Sequence, residues 1–254
     1  MSATLPPPVG SLLREWRQRR RLSQLELALD AEVSTRHLSC VETGRAQPSR
    51  EMVLRLAERL EVPLRERNRL LTAAGFAPMY GEHRLDDPAL AAARAAVDLV
   101  LRGHEPYPAL AVDRHWNLVS HNRAVPPLLA GVNAELLVPP INVMHLSLHP
   151  QGLAPRILNL AQWRAHAFAR LRQQIAASAD PQLEALLASL YRYPAPVHDA
   201  PPAEAAMVVP LQIDSPAGVL SLFGTTTVFG TPVDVTLSEL ALETFFPADA
   251  ATAT

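Results

Sequence analysis

The side chains of this sequence best suited to chemistry are its arginines, which supply all 23 basic charges. A guanidinium is a planar, permanently charged fork that matches phosphate oxygens two at a time. Thirteen of these arginines lie in residues 1–80 against nine acidic residues, and ten lie in residues 81–254 against sixteen. A basic head on an acidic body is the layout of a polyanion-binding module joined to a part that stays off the polyanion. Chance imbalance is the alternative, and charge alone does not separate the two. The total lack of lysine is better ascribed to genomic base composition than to function.

Histidine and cysteine offer less. His145 and His149 stand four apart, as metal ligands on a helix do, but "NVMHLSLHP" does not read as a helix and no third ligand lies nearby. No metal site is expected. There is no Gly-x-Ser-x-Gly elbow, phosphate-binding Walker loop or Gly-x-Gly-x-x-Gly turn, so neither catalysis nor a cofactor is expected. Cys40, the single cysteine, has no intramolecular partner, which agrees with a reducing compartment. No run of about 18 uncharged apolar residues suggests a membrane span. Met1 to Gly10 has neither the basic nor the apolar region of a signal peptide. A cytoplasmic location is the expectation.

The elements that must position the arginines are short helices. Leu12, Leu13 and Trp16 fall at helical spacing and lead into Arg17, Arg19, Arg20 and Arg21. Ser23-Gln24-Leu25-Glu26 has the form of a capping box and opens a second helix to about Asp30. Ala31-Glu32-Val33 reads as a tight turn. Ser34 caps a third helix from Thr35 to about Val41, closed by Gly44. Pro48-Ser49 opens a fourth with Val53, Leu54, Ala57 and Leu60 inward, and Asn68 to Ala74 gives a fifth. Five helices with a three-residue turn between the second and third make a helix-turn-helix layout.

The run "LSQLELALDAEVSTRHLSCVETGRAQPS", Leu22 to Ser49, resembles the λ-repressor-like, or XRE, family of regulators. It does so through the Ser-Gln opening, Leu27-Ala28, Val33-Ser34, Val41-Glu42 and Gly44-Arg45. The resemblance implies roles in binding double-stranded DNA. Gln24 would contact a phosphate and brace the third helix. Thr35, Arg36 and His37 would open the recognition helix, with Ser39 and Cys40 one turn on, facing the major groove. Arg36 is placed for a bidentate contact to guanine. Arg45 is placed for the DNA backbone, as is Arg17 or Arg21. Two departures stand out: Glu32 occupies a turn position often held by glycine, and Cys40 one where a polar or larger residue is common.

Pro78 to Pro88 reads as a linker between a head at 1–77 and a second domain at 89–254. Asp87-Pro88 caps the alanine-rich helix Ala89–Leu101. "YPALAVDRHWNLVSHN", Tyr107 to Asn122, reads as a β-hairpin, with apolar runs flanking Asp113-Arg114-His115. Helices follow at Asn159–Ala177 and Pro181–Leu190. Strands are expected at Ala206–Ile213, Val219–Phe229 and Leu240–Phe246, with a turn at Ser215-Pro216-Ala217-Gly218. That order suits a PAS-like domain, a five-stranded antiparallel sheet with helices over one face, so the whole chain is of the α+β class.

The stretches "YPALAVDRHWNLVSHNRA", "HPQGLAPRILN", "VVPLQIDSPAGVLSLF" and "FGTPVDVTLSELALETFFPAD" resemble the ligand-binding domain of MmyB-like regulators. The resemblance implies an apolar cavity for a fatty acid-like ligand. Apolar candidates for its wall are Trp116, Leu118, Met144, Leu146, Trp163, Phe168, Leu222 and Phe223, each otherwise ordinary core. Asn122, His149 and Arg164 are candidates for a polar head group. A homodimer on a roughly palindromic operator is expected. The rival reading gives the C-terminal domain a solid core and a protein partner, with no small-molecule effector. A further alternative is an enzyme fused to the DNA-binding head, marked by a polar cleft.

Overall fold

A computed structural model describes residues 7–194, 209–216 and 218–253. The chain forms two compact units, the first chiefly of residues up to Glu82 and the second chiefly of residues from His83 onward.

The first unit is helical: α1 (Val9–Arg19), α2 (Gln24–Asp30), α3 (Thr35–Glu42), α4 (Arg50–Arg59) and α5 (Leu64–Ala73). Three starts are set by serine. Ser23, Ser34 and Ser49 each accept a backbone N–H from the first turn of the helix they precede, and Ser23 and Glu26 form the reciprocal capping box. Glu32, in the turn between α2 and α3, is left-handed with φ 55°, and Gly44 beyond α3 has φ 74°. Leu13, Leu27, Leu38, Leu56, Leu60, Leu70 and Leu71 fill the core. Leu56, not Leu54, is the fully buried leucine of mid-α4. The expected fifth helix starts four residues earlier, at Leu64 behind Pro63. Asn68 is interior to it, holding Met79 and Tyr80 through hydrogen bonds to their backbone. Gly10 lets α1 approach α3 closely, since a β-carbon there would sit 2.2 Å from the Val41 carbonyl oxygen.

The second unit contains α6 (Ala91–Gly103), β1 (Ala109–Val112), β2 (Leu118–His121), α7 (Val125–Leu128), α8 (Val143–Leu148), α9 (Leu160–Ser178) and α10 (Pro181–Tyr191). These are followed by β3 (Leu211–Ser215), β4 (Gly218–Val228), α11 (Val235–Ser238) and β5 (Ala241–Pro247). The sheet is antiparallel in the order β2-β1-β5-β4-β3. Of the expected strand 206–213, residues 206–208 lie outside the described residues, as does Ala217 of the following turn.

Period-two alternation divides the sheet into two faces. Leu110 and Val112 pack with Trp116, Met144, Phe168 and Leu171, while Ala109 and Ala111 pack with Val97 and Leu101 of α6. Helices therefore cover both faces, which corrects the expectation of one. The alanines of β1 are small enough for α6 to lie close against them. "NVMHLSLHP" is also corrected. It contains α8, whose start is capped by the Asn142 side chain accepting from the N–H groups of Met144 and His145.

Candidate functional site

Two sites emerge, one in each unit. In the first, α3 turns Leu38, Val41 and Glu42 inward and leaves Arg36 exposed, with Thr35, His37, Ser39 and Cys40 partly exposed. This is the side-chain set expected to meet DNA, carried on a helix whose inner face is fixed by packing. Arg45 and Arg21 are exposed as well, Arg21 with a left-handed φ of 57°.

Arg17 is not available for a phosphate, and that expectation is corrected. It is 9 % exposed and donates from Nε and Nη2 to the two Glu42 carboxylate oxygens at 2.7 and 2.9 Å. Its Nη1 donates to the Leu22 carbonyl at 2.8 Å. Gln24 Nε2 completes the cluster by donating to Glu42 at 2.8 Å. Burial works against the Glu42 charge. The hydrogen bonds from Arg17 and Gln24, with the Arg17 charge, more than compensate and hold its pKa below the usual carboxylate value. This fork joins α1, α2 and α3, so Gln24 has the bracing contact expected of it. Sequence reasoning noticed Glu42 only as half of a Val-Glu pair; its position on the inner face of α3, next to Val41, was the available signal.

The second site is a cavity of about 380 Å³ on the face of the sheet opposite α6. A tight turn aims Trp116 into it. The Asp113 carboxylate accepts the N–H groups of His115 and Asn117 at 2.8 Å each, and Trp116 takes a left-handed φ of 67° between them. A left-handed tryptophan is a local cost of roughly 1–2 kcal/mol that the surroundings must hold. Trp116 Nε1 donates to Gln174 at 2.7 Å, and the Arg170 guanidinium lies over its ring at 4.7 Å.

Of the expected wall residues, Trp116, Leu118, Met144, Leu146, Trp163 and Leu222 line this cavity. The other five do not, each for a visible reason. Asn122 is buried structural polarity: its amide donates to the carbonyls of Leu101 and Tyr107, and its oxygen accepts from Ala109 N–H. His149 caps the end of α8, accepts the Gln151 N–H and packs on the Tyr193 ring. Arg164 donates to the Pro194 carbonyl and lies over Phe168, which packs on Tyr191 away from the cavity. Phe223 follows Leu222 on β4, points to the opposite face and stacks on Phe246.

The polar wall residues that sequence reasoning missed are Ser147, His166, Arg170 and Glu243. Arg170 and Glu243 form a bidentate pair at 2.8 and 2.9 Å, and Thr226 hydrogen-bonds both. His166 and Arg170 are one turn apart on α9, and β5 brings Glu243 to them from far along the chain. Only the helical spacing of the first two was visible in the sequence. Among the described residues no group of three or more metal-ligating side chains is gathered, and no helix is long and apolar enough to cross a membrane.

A helix-turn-helix head and a sheet domain with an apolar cavity together define a DNA-binding transcription regulator with a ligand-binding domain. Residues 93–254 match the MmyB-like transcription regulator ligand binding domain and residues 8–70 a helix-turn-helix domain. The first match spans more than half of the chain, which therefore belongs to the MmyB-like transcription regulator family. No curated protein matched it. One solved structure, the clp gene regulator ClgR from Corynebacterium glutamicum, shares 25% identity over 42% of this chain and 99% of its own. The TM-score of that match is 0.25.

Proposed function

We propose that this regulator reads its operator as a homodimer in the cytoplasm and that the PAS-like C-terminal domain senses a small, fatty acid-like molecule. The observation that carries the reading is the cavity beside the sheet, whose wall is chiefly aliphatic and aromatic, with a few polar groups gathered around Arg170. Its volume lies within the range typical of small-molecule sites, about 300–1,000 Å³. A cavity favours a small-molecule effector over a solid core that binds only a protein partner. Two recognition helices in a dimer would enter successive major grooves about 34 Å apart. Thr35, Arg36, His37, Ser39 and Cys40 would read base edges, while Gln24, Arg21 and Arg45 would hold phosphates.

The effector can change operator affinity only through its different affinities for the DNA-competent and DNA-incompetent arrangements. Fluorescence anisotropy on a mapped operator, with and without dodecanoic acid, tests the coupling. A shift in affinity is expected; unchanged affinity across a series of chain lengths rejects the sensing role. Native mass spectrometry of the purified protein adds a direct readout, with a lipid-like mass retained on a dimer as the expected result.

A further inference from the structure

The polar side chains on the cavity wall are Trp116, Ser147, Trp163, His166, Arg170 and Glu243. Five of them have partners within the protein. Trp116 donates to Gln174, Trp163 donates to Ser147 at 2.7 Å, and Arg170 and Glu243 satisfy each other with Thr226. His166 is different. Its ring stacks on Trp163 at 5.7 Å, and no described residue hydrogen-bonds it. The residue lines the cavity, and no hydrogen bond among the described residues uses its nitrogens.

The charged groups facing His166 are Arg170 from its own helix and Glu243 from β5, and the uncharged Ser147 of α8 lines the same cavity. Because Arg170 is matched by Glu243, this end of the cavity holds no surplus positive charge. A bare carboxylate placed there would leave the site one negative charge in excess among apolar walls, which is strongly unfavourable. Imidazole offers a way out. When neutral it presents one donor and one acceptor, the complement of a protonated carboxyl or an alcohol; when protonated it presents two donors to a carboxylate.

Building on the apolar-ligand reading above, we infer that His166 anchors the ligand head group and that a fatty acid enters the cavity together with one proton. Whether the proton sits on the carboxyl or on the imidazole, the filled site has the same composition and is neutral. Burial, helped by Arg170 and opposed by Glu243, holds the imidazole below its ordinary pKa, so near pH 7 the His166 ring of the empty site is neutral. A free fatty acid is ionised at that pH. The proton is therefore drawn from solvent.

Calorimetric titration of the full chain with dodecanoic acid and dodecanol, from about pH 7 to about pH 9, tests this. The acid is expected to bind about tenfold more weakly for each pH unit gained, as uptake of one proton requires. Heats measured in buffers of different ionisation enthalpy should report that proton, and dodecanol should show no pH dependence. His166→Phe should weaken acid and alcohol by about tenfold or more while the apolar dye diphenylhexatriene still binds, and His166→Gln, which keeps a donor and an acceptor, should restore the alcohol. Acid binding that is flat with pH and takes up no proton overturns the inference alone. Wild-type affinities in His166→Phe do the same. Failure of acid, alcohol and dye alike overturns the apolar-ligand reading and the inference with it.

Discussion

Each unit of this regulator holds one bidentate arginine–glutamate pair away from bulk water, and the two pairs serve different ends. Arg17 and Glu42 sit inside the head with side-chain exposures of 10 % and 1 %, roofed by Gln24. Arg170 and Glu243 are partly open at 27 % and 5 % and form a wall of the cavity. The first pair ties three helices together and holds the recognition helix in place. The second presents a neutral polar end beside His166, which no described residue hydrogen-bonds. Identical chemistry thus becomes a brace where protein surrounds it and a polar wall where it borders a cavity.

Removing one partner from each pair is the sharpest way to test that contrast. Glu42→Ala leaves Arg17 charged and buried, and is expected to cost about 3–5 kcal/mol of head stability. Thermal unfolding followed by circular dichroism checks it, and operator binding should be lost with it. Acid should act in the same direction. The Glu42 pKa is held down in the folded head, so its contribution is present above the unfolded carboxylate value of about 4.3 and is lost as pH falls through the lower folded value. Glu243→Ala should cost less, about 1–3 kcal/mol, because water entering the cavity can solvate Arg170. Equal losses for the two variants would erase the distinction between brace and wall.

The exposed side chains of α3, proposed above to read base edges, should behave unlike either pair. Arg36→Ala is expected to leave the melting temperature unchanged while costing about 1–3 kcal/mol at one base pair of the operator, read by anisotropy on operator variants. A uniform loss across all operator sequences would instead mark Arg36 as a phosphate contact. The smallest effect concerns the turn before the recognition helix. Glu32 sits at φ 55°, so Glu32→Gly should stabilise the head by up to about 1 kcal/mol, visible as a small rise in melting temperature. No rise would show that the negative charge near the recognition helix offsets the strain.

Much of the head was legible in residue order because its determinants are local. The serines that begin α2, α3 and α4, the helical spacing of buried leucines and Gly44 after α3 act within one or two turns. Leu56 was legible too, because with Val53, Ala57 and Leu60 it completes the i, i+3, i+4, i+7 stripe, whereas Leu54 lies about 100° around the helix from Val53. The hairpin of β1 and β2 and the long helix α9 were legible for the same local reason. Asn122, His149 and Arg164 show the limit. Each has the type of side chain a head-group site needs, but each is bound to nearby backbone groups, which residue type alone does not disclose.

By itself, the sequence determined that a five-helix DNA-binding head precedes an α+β domain, because capping, helical spacing and strand alternation are short-range properties of neighbouring residues. Tertiary structure alone decided which polar groups face the cavity. Arg17 and Glu42 are 25 positions apart, and Arg170 and Glu243 are 73 apart. Such partners are chosen by the approach of whole elements, and a charged side chain carries no mark of whether it will be buried in a pair or left to meet solvent.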